Sequence, residues 1–224
     1  MCGRFTLTQS AEIITKAFDL GDIPPFKPRY NIAPTQAIAT ILIKPDDTQR
    51  QLQMLHWGLI PSWAKDVKMG VKLINARAET LTEKPSFRTA FKKRRCLIIA
   101  DGFYEWQQQD GKKQPFYFQL QDRQPFAFAG LWEHWEGEGE VIESCTILTT
   151  EANQVMQPIH GRMPVILDSK DYDLWLDPTV QKSDLLQSLL LPYSAEEMTA
   201  YPVSTRVNKP MNDSPECIQE LVAE

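Results

Sequence analysis

Between residues 38 and 150 the chain carries six runs of strand length, near 38–44, 51–57, 95–101, 115–120, 125–130 and 144–150, each apolar or alternating. A period of two sends successive side chains to opposite faces of a sheet, and short apolar runs bounded by turn residues read as buried strands. Gln109-Asp110-Gly111-Lys112 is a hairpin signal between two such stretches. The acidic run Trp135–Glu140 reads as a second, solvated hairpin tip. Helical periodicity is confined to short segments at 10–18, 87–93, 168–176, 182–191 and 215–222; on the first, Ile13, Ile14 and Phe18 share one face. Four prolines between Pro24 and Pro34 predict an ordered but irregular segment. The expectation is an α+β fold: a mainly antiparallel, barrel-like sheet core decorated by short helices, not a βαβ alternation. With no repeat or low-complexity linker, one domain over residues 1–224 is expected.

Composition narrows the function classes. No apolar run approaches the ~20 residues of a membrane span, and the N-terminus lacks a secretory apolar region. The four cysteines (2, 96, 145 and 217) are scattered, and Cys96 and Cys145 sit inside apolar runs. They read as reduced thiols of a cytoplasmic protein. No metal-ligand spacing and no Gly-rich phosphate loop is present, so neither a metal nor a cofactor is expected. A net charge of −5 argues against indiscriminate duplex binding, although a local basic cleft is compatible with it.

Chemistry concentrates in a few polar residues. The chain opens Met1-Cys2-Gly3-Arg4, and removal of Met1 would leave Cys2 with a free amine beside its thiol. Such a 1,2-aminothiol condenses with an aldehyde and closes a five-membered thiazolidine. An α-amine near pKa ~7.7–8.0 keeps a neutral fraction at pH 7 that a lysine does not. On position alone, Cys2 also reads as a small buried residue beside a frayed terminus. In Asn75-Ala76-Arg77-Ala78-Glu79 an amide and a guanidinium leave one face of an extended segment. Arg77 could grip a phosphate or pair with Glu79 on a wet surface. Glu105 lies among aromatic residues in Gly102-Phe103-Tyr104-Glu105-Trp106, either as a proton donor with a raised pKa or as half of a structural ion pair. His160 and Arg162 share a loop bounded by Pro158, Gly161 and Pro164, and a loop histidine can be catalytic or structural. Tyr30–Pro34 and His56–Trp63 add exposed-looking polar and aromatic groups; tryptophan beside arginine suits stacking of unpaired bases, while a core or interface role is the default reading of each tryptophan.

Taken together, Met1–Phe5, Tyr30–Pro34, Trp57–Pro61, Ile74–Glu79, Ala100–Trp106 and His160–Pro164 closely resemble, in order, the motifs of the SRAP (SOS-response-associated peptidase) family. The resemblance spans nearly the whole chain. It implies binding of single-stranded DNA and covalent capture of abasic sites by Cys2 once Met1 is removed, by the chain itself or by an aminopeptidase. It further implies that His160 serves as acid and base, that Glu105 manages protons at Cys2, and that Asn75 positions the opened sugar. By the same resemblance Arg4, Arg77 and Arg162 bind flanking phosphates, Asn31 shapes the DNA-binding pocket, and Trp63 is an aromatic wedge against the bases. The alternative reading is an N-terminal-cysteine hydrolase, a peptidase or glutamine amidotransferase-like enzyme.

Overall fold

The computed structural model describes residues 2–44, 47–137 and 139–221. Thirteen strands form two sheets. In chain order they are β1 (Phe5–Leu7), β2 (Arg29–Ile32), β3 (Ala37–Leu42), β4 (Gln51–Trp57), β5 (Asn75–Arg77), β6 (Arg95–Ala100) and β7 (Gly102–Gln109). They continue as β8 (Lys112–Leu120), β9 (Phe126–Gly137), β10 (Glu140–Glu151), β11 (Arg162–Pro164), β12 (Ile166–Leu167) and β13 (Met198–Pro202). The helices are α1 (Ala11–Phe18), α2 (Arg88–Lys93), α3 (Tyr172–Leu176) and α4 (Ser183–Gln187), with short 3₁₀ turns between.

The larger sheet runs β11-β10-β4-β3-β6-β9-β12, and β9 pairs again with β10. That extra pairing closes β10, β4, β3, β6 and β9 into a five-stranded barrel, which removes the exposed strand edges an open sheet would present. The smaller sheet, β13-β8-β7-β1-β2, is antiparallel throughout. Parallel pairing is limited to β10 with β4 and with β5. The expected α+β, mainly antiparallel barrel is the architecture observed.

Apolar alternation explains the core. Phe5 on β1 meets Trp57 at 5.2 Å and Phe128 at 5.8 Å, edge to face, while Phe103 and Phe118 stack at 5.0 Å across β7 and β8. Pairs of this kind contribute about 0.5–1.5 kcal/mol each beyond their buried area. They also weld the small sheet, which carries the N-terminal strand, to the barrel. Arg95 is a buried cation whose guanidinium donates to the carbonyls of Phe91, Lys92, Trp175, Asp177 and Val180. It thereby caps the C-terminal ends of α2 and α3.

Several expectations shift in detail. The helix expected from residue 10 begins at Ala11 with Ser10 as its cap, but Ile13 is exposed and only Ile14 and Phe18 reach the core. The proline-rich segment turns regular at Arg29, where β2 pairs with β1. Asp110 and Gly111 both take positive φ at the β7–β8 hairpin, as its two-residue turn requires. The 182–191 helix stops at Gln187, and the segment at 215 is a 3₁₀ turn over Pro215–Ile218. Val222, in the predicted C-terminal helix, and Glu138, in the acidic hairpin tip, lie outside the described residues. Among the described residues no helix is long and apolar enough to cross a membrane.

Burial of thiols makes one stability prediction. Cys2, Cys96 and Cys145 are fully enclosed, and desolvation pushes each thiol well above its ordinary value near 9. The folded state therefore keeps protons that the unfolded chain releases above about pH 9. Stability is intact below that point and falls as pH rises, by about 1.4 kcal/mol per pH unit per thiol. Urea unfolding at about pH 7.5 and pH 10.5 should show a loss of several kcal/mol. A flat profile would contradict the enclosed thiols.

Candidate active site

Strand pairing brings the N-terminal segment to Glu105. β1 lies between β2 and β7, with Phe5 opposite Phe103 and the Tyr104 amide donating to the Arg4 carbonyl at 3.0 Å. Continued one step, that antiparallel register sets the residues before Arg4 beside Glu105. Cys2 has no exposed surface, and its carbonyl accepts a hydrogen bond from Asn75 Nδ2 at 2.8 Å. Asn75 opens β5, where it pairs with Ile147 on β10. Its other amide atom, Oδ1, is buried and has no hydrogen-bond partner among the described residues. Met1 lies outside them.

Glu105 is only 4% exposed, and with Trp106, Lys113, His160 and Asn208 it lines a cavity of about 450 Å³. His160 reaches this cavity from the loop after β10, where its amide donates to the Met156 carbonyl at 3.0 Å. Its Nδ1 sits 3.0 Å from both the amide nitrogen and the carbonyl oxygen of Arg162. The amide supplies a donor to the neutral ring and the carbonyl an acceptor to the protonated one, so Nδ1 has a backbone partner in either state. Gln107, two residues beyond Glu105 on β7, donates to the Pro158 carbonyl at 3.0 Å and ties the Glu105 strand to the His160 loop.

The electrostatics of Cys2 set its reactivity. Burial raises the thiol first, and the Glu105 carboxylate adds to the rise. The enclosed sulfur is therefore a protonated thiol, which is a poor nucleophile. A carboxylate beside it offers a place for its proton.

The arginines are occupied in ways that spacing alone does not show. Arg4 Nη1 donates to the Val207 carbonyl at 2.7 Å and to Asn31 Oδ1 at 3.0 Å. Asn31 is wholly buried rather than exposed, and its Nδ2 donates to the carbonyls of Val207, Lys209 and Asn212 at 2.8–3.0 Å. Its side chain is thus behind the pocket, holding the segment 207–213 as a strap, and touches no exposed surface. Trp57 takes the core role that is the default for a tryptophan: it is buried, with Nε1 donating to the Ile74 carbonyl at 2.9 Å. Arg162 pairs with Glu79 through two hydrogen bonds of 2.6 and 3.0 Å and donates to the Thr149 carbonyl at 2.6 Å. Glu79 thus pairs with Arg162, 83 residues away, and the Arg162 bond holds its carboxyl below the usual range. Arg77 is left exposed at the end of β5, without an ion pair to a described residue. Trp63 is 56% exposed on the turn after β4.

Of the expected residues, the fold gathers Cys2, Asn75, Glu105 and His160. Arg4 and Asn31 stand behind them, and Arg77, Arg162 and Trp63 lie on the flanks. Several contributors carried no sequence signal strong enough to find. Asp213 binds the amides of Tyr30 and Asn31 and pairs with Arg29, closing the strap from its far end. Trp106 Nε1 donates to Asn208 Oδ1 at 2.7 Å at the cavity rim. Asp101 accepts from Thr6, Thr8 and Gln9 and locks β1 onto β7. Its place beside Gly102 at a strand end was the one available hint.

Comparison with known proteins identifies the family. A family model described as SOS response associated peptidase (SRAP) matches residues 1–210. The chain is 50% identical over 224 residues to the abasic site processing protein YoqW of Bacillus subtilis, covering 98% of this chain and 99% of that one. It is 34% identical to the abasic site processing protein HMCES of Xenopus tropicalis, covering 99% of this chain and 79% of the relative. A crystal structure of a Bacteroides thetaiotaomicron protein superposes with a TM-score of 0.85 at 28% identity, over 99% of this chain and all of the other. With the family model matching residues 1–210 and the fold shared over nearly the whole length, the chain belongs to the SOS response associated peptidase family.

Proposed function

We propose that this protein processes abasic sites in DNA, capturing them covalently through Cys2 after loss of Met1, as one cytoplasmic domain acting on single-stranded DNA in the damage response. The observation that carries the reading is the placement of Cys2 between Asn75 and Glu105, next to a cavity shared by Glu105 and His160. Two relatives named abasic site processing proteins support it.

The chemistry balances with groups already present. The free Cys2 amine adds to C1′ of the ring-opened aldehyde and loses one water to give an imine. The Cys2 thiol then adds across C=N, forming the S–C1′ bond while its proton passes to nitrogen. Glu105 would take and return these protons, and His160 would assist opening of the sugar ring. Asn75 Oδ1, a buried acceptor without a partner among the described residues, suits a sugar hydroxyl. The same cysteine and carboxylate would also cleave the Met1–Cys2 bond if removal is autocatalytic.

Protein incubated with a single-stranded oligonucleotide bearing one abasic site should give a heat-stable shifted band on a denaturing gel. Its mass should equal protein without Met1 plus oligonucleotide minus one water. Protein that has lost Met1 by mass yet gives no band would overturn the reading.

A further inference from the structure

Charge is unevenly distributed along this chain. Residues 61–95 hold ten of the 24 Lys and Arg but only three of the 29 Asp and Glu, a local balance of +7 in a protein of −5. Two of the ten are used internally: Arg94 pairs with Glu133 at 2.6 Å, and Arg95 is buried on carbonyls. The other eight are exposed and make no ion pair with a described residue.

They divide into two arms at Asn75, the residue that holds Cys2. On the N-terminal arm, Lys65, Lys68 and Lys72 alternate with the exposed apolar side chains of Trp63, Val67 and Val71. Mixed charge and apolar surface of this kind suits unpaired bases and belongs with the wedge already described. The C-terminal arm differs. After Arg77, exposed cations recur at Lys84, Arg88 and Lys92, spaced by four. The Arg88 amide donates to the Lys84 carbonyl at 3.0 Å, so this spacing continues the helical turns into α2 and lines the three up on one face. The opposite face, Phe87, Ala90 and Phe91, is buried in the core. Each step of four residues advances about 6 Å.

Such a row is unfavourable by itself. Like charges at i, i+4 destabilise a helix, and α2 has neither an acidic residue in its first turn nor a side-chain cap. A polyanion laid along the row would relieve the repulsion. We propose that Lys84, Arg88 and Lys92 form an outer phosphate track for the DNA strand leaving the Cys2 cavity past Arg77. This deepens the reading of the cavity as a site for abasic DNA and rests on it. Because the arm lacks exposed aromatic side chains, it would hold backbone and ignore base identity.

The test uses undamaged DNA, so that it reads independently of covalent capture. Binding of labelled oligothymidine of about 20 nucleotides is measured by anisotropy across a salt series, for the parent and for K84Q/R88Q/K92Q. Each phosphate contact on a single strand contributes about 0.7 to the slope of log affinity against log salt, so losing three lowers the slope by about 2. An oligomer of about five nucleotides should bind both proteins alike. The control K16Q/K27Q/K182Q removes the same charge from exposed positions elsewhere and should keep the parental slope. Equal slopes for parent and track variant on the long oligomer would overturn the proposal, provided circular dichroism shows the variant folded. An equal fall in the control, or an equal loss on the short oligomer, would also overturn it. A parent that fails to cross-link abasic DNA yet shows the slope difference would instead refute the proposed function and leave the phosphate track standing.

Discussion

Replacing Cys2 by alanine should eliminate the heat-stable adduct with abasic DNA, a loss of at least a hundredfold in yield. Removal of Met1 from such a variant still exposes an α-amine, so an imine with C1′ can form. Without sulfur the imine cannot close to a thiazolidine, and water reverses it. Adding a borohydride reductant should therefore restore a band in Cys2→Ala by converting the imine to a secondary amine. The pair of lanes separates the amine's role from the thiol's. An adduct of parental yield without reductant would show that some other nucleophile acts. No adduct in either lane, from protein lacking Met1, would mean that the amine does not reach the aldehyde. Burial strengthens the expectation: the sulfur is enclosed and held protonated. Adventitious reaction by a freely exposed thiolate is thus not available to imitate the result.

Asn31→Leu should be the most damaging change behind the site. The substitution keeps the branched side-chain outline but removes three hydrogen bonds from Nδ2 to strap carbonyls and the acceptor for Arg4. At about 1 kcal/mol net per hydrogen bond, the loss is roughly 4 kcal/mol, a large fraction of the stability of an ordinary domain. Cross-linking under conditions where the protein stays folded should slow by more than tenfold, because Arg4 and the segment behind Cys2 lose their register. A urea midpoint equal to that of the parent would refute the assignment of Asn31 as the strap's anchor. Asp213→Asn, which preserves shape at the strap's other end but removes the charge facing Arg29, should show a smaller shift in the same direction.

The strands visible in the sequence were those with enough apolar residues to show a period, and the barrel staves β3, β4, β6, β9 and β10 were all among them. β7 was not, although it carries Glu105, because its outer half is Trp106-Gln107-Gln108-Gln109. It is extended because β1 and β8 bracket it, a tertiary cause that local propensity does not carry. Strands of two or three residues such as β1, β5, β11 and β12 are too short for periodicity to register. The site was legible as chemistry at Cys2, Asn75, Glu105 and His160, where residue types in polar or glycine-bounded contexts stood out. Partnerships were not. Spacing left Arg77 open between a phosphate and its sequence neighbour Glu79, and Glu79 turns to Arg162 across the β5–β10 pairing. Asn31 looked exposed because an amide beside a tyrosine usually is. Its three carbonyl partners lie 176 to 181 residues away, beyond any local pattern.

The clasp between the two ends of the chain bears on synthesis. Cys2 leaves the ribosome first, whereas Val207, Lys209 and Asn212, which receive Arg4 and Asn31, leave almost last. At about 5–20 residues per second, translation separates these events by roughly ten to forty seconds. Throughout that interval a nascent chain displays its N-terminal segment with no pocket around Cys2. A polypeptide truncated before residue 207 never acquires the clasp, so completion of the clasp also reports that the message was read nearly to its end.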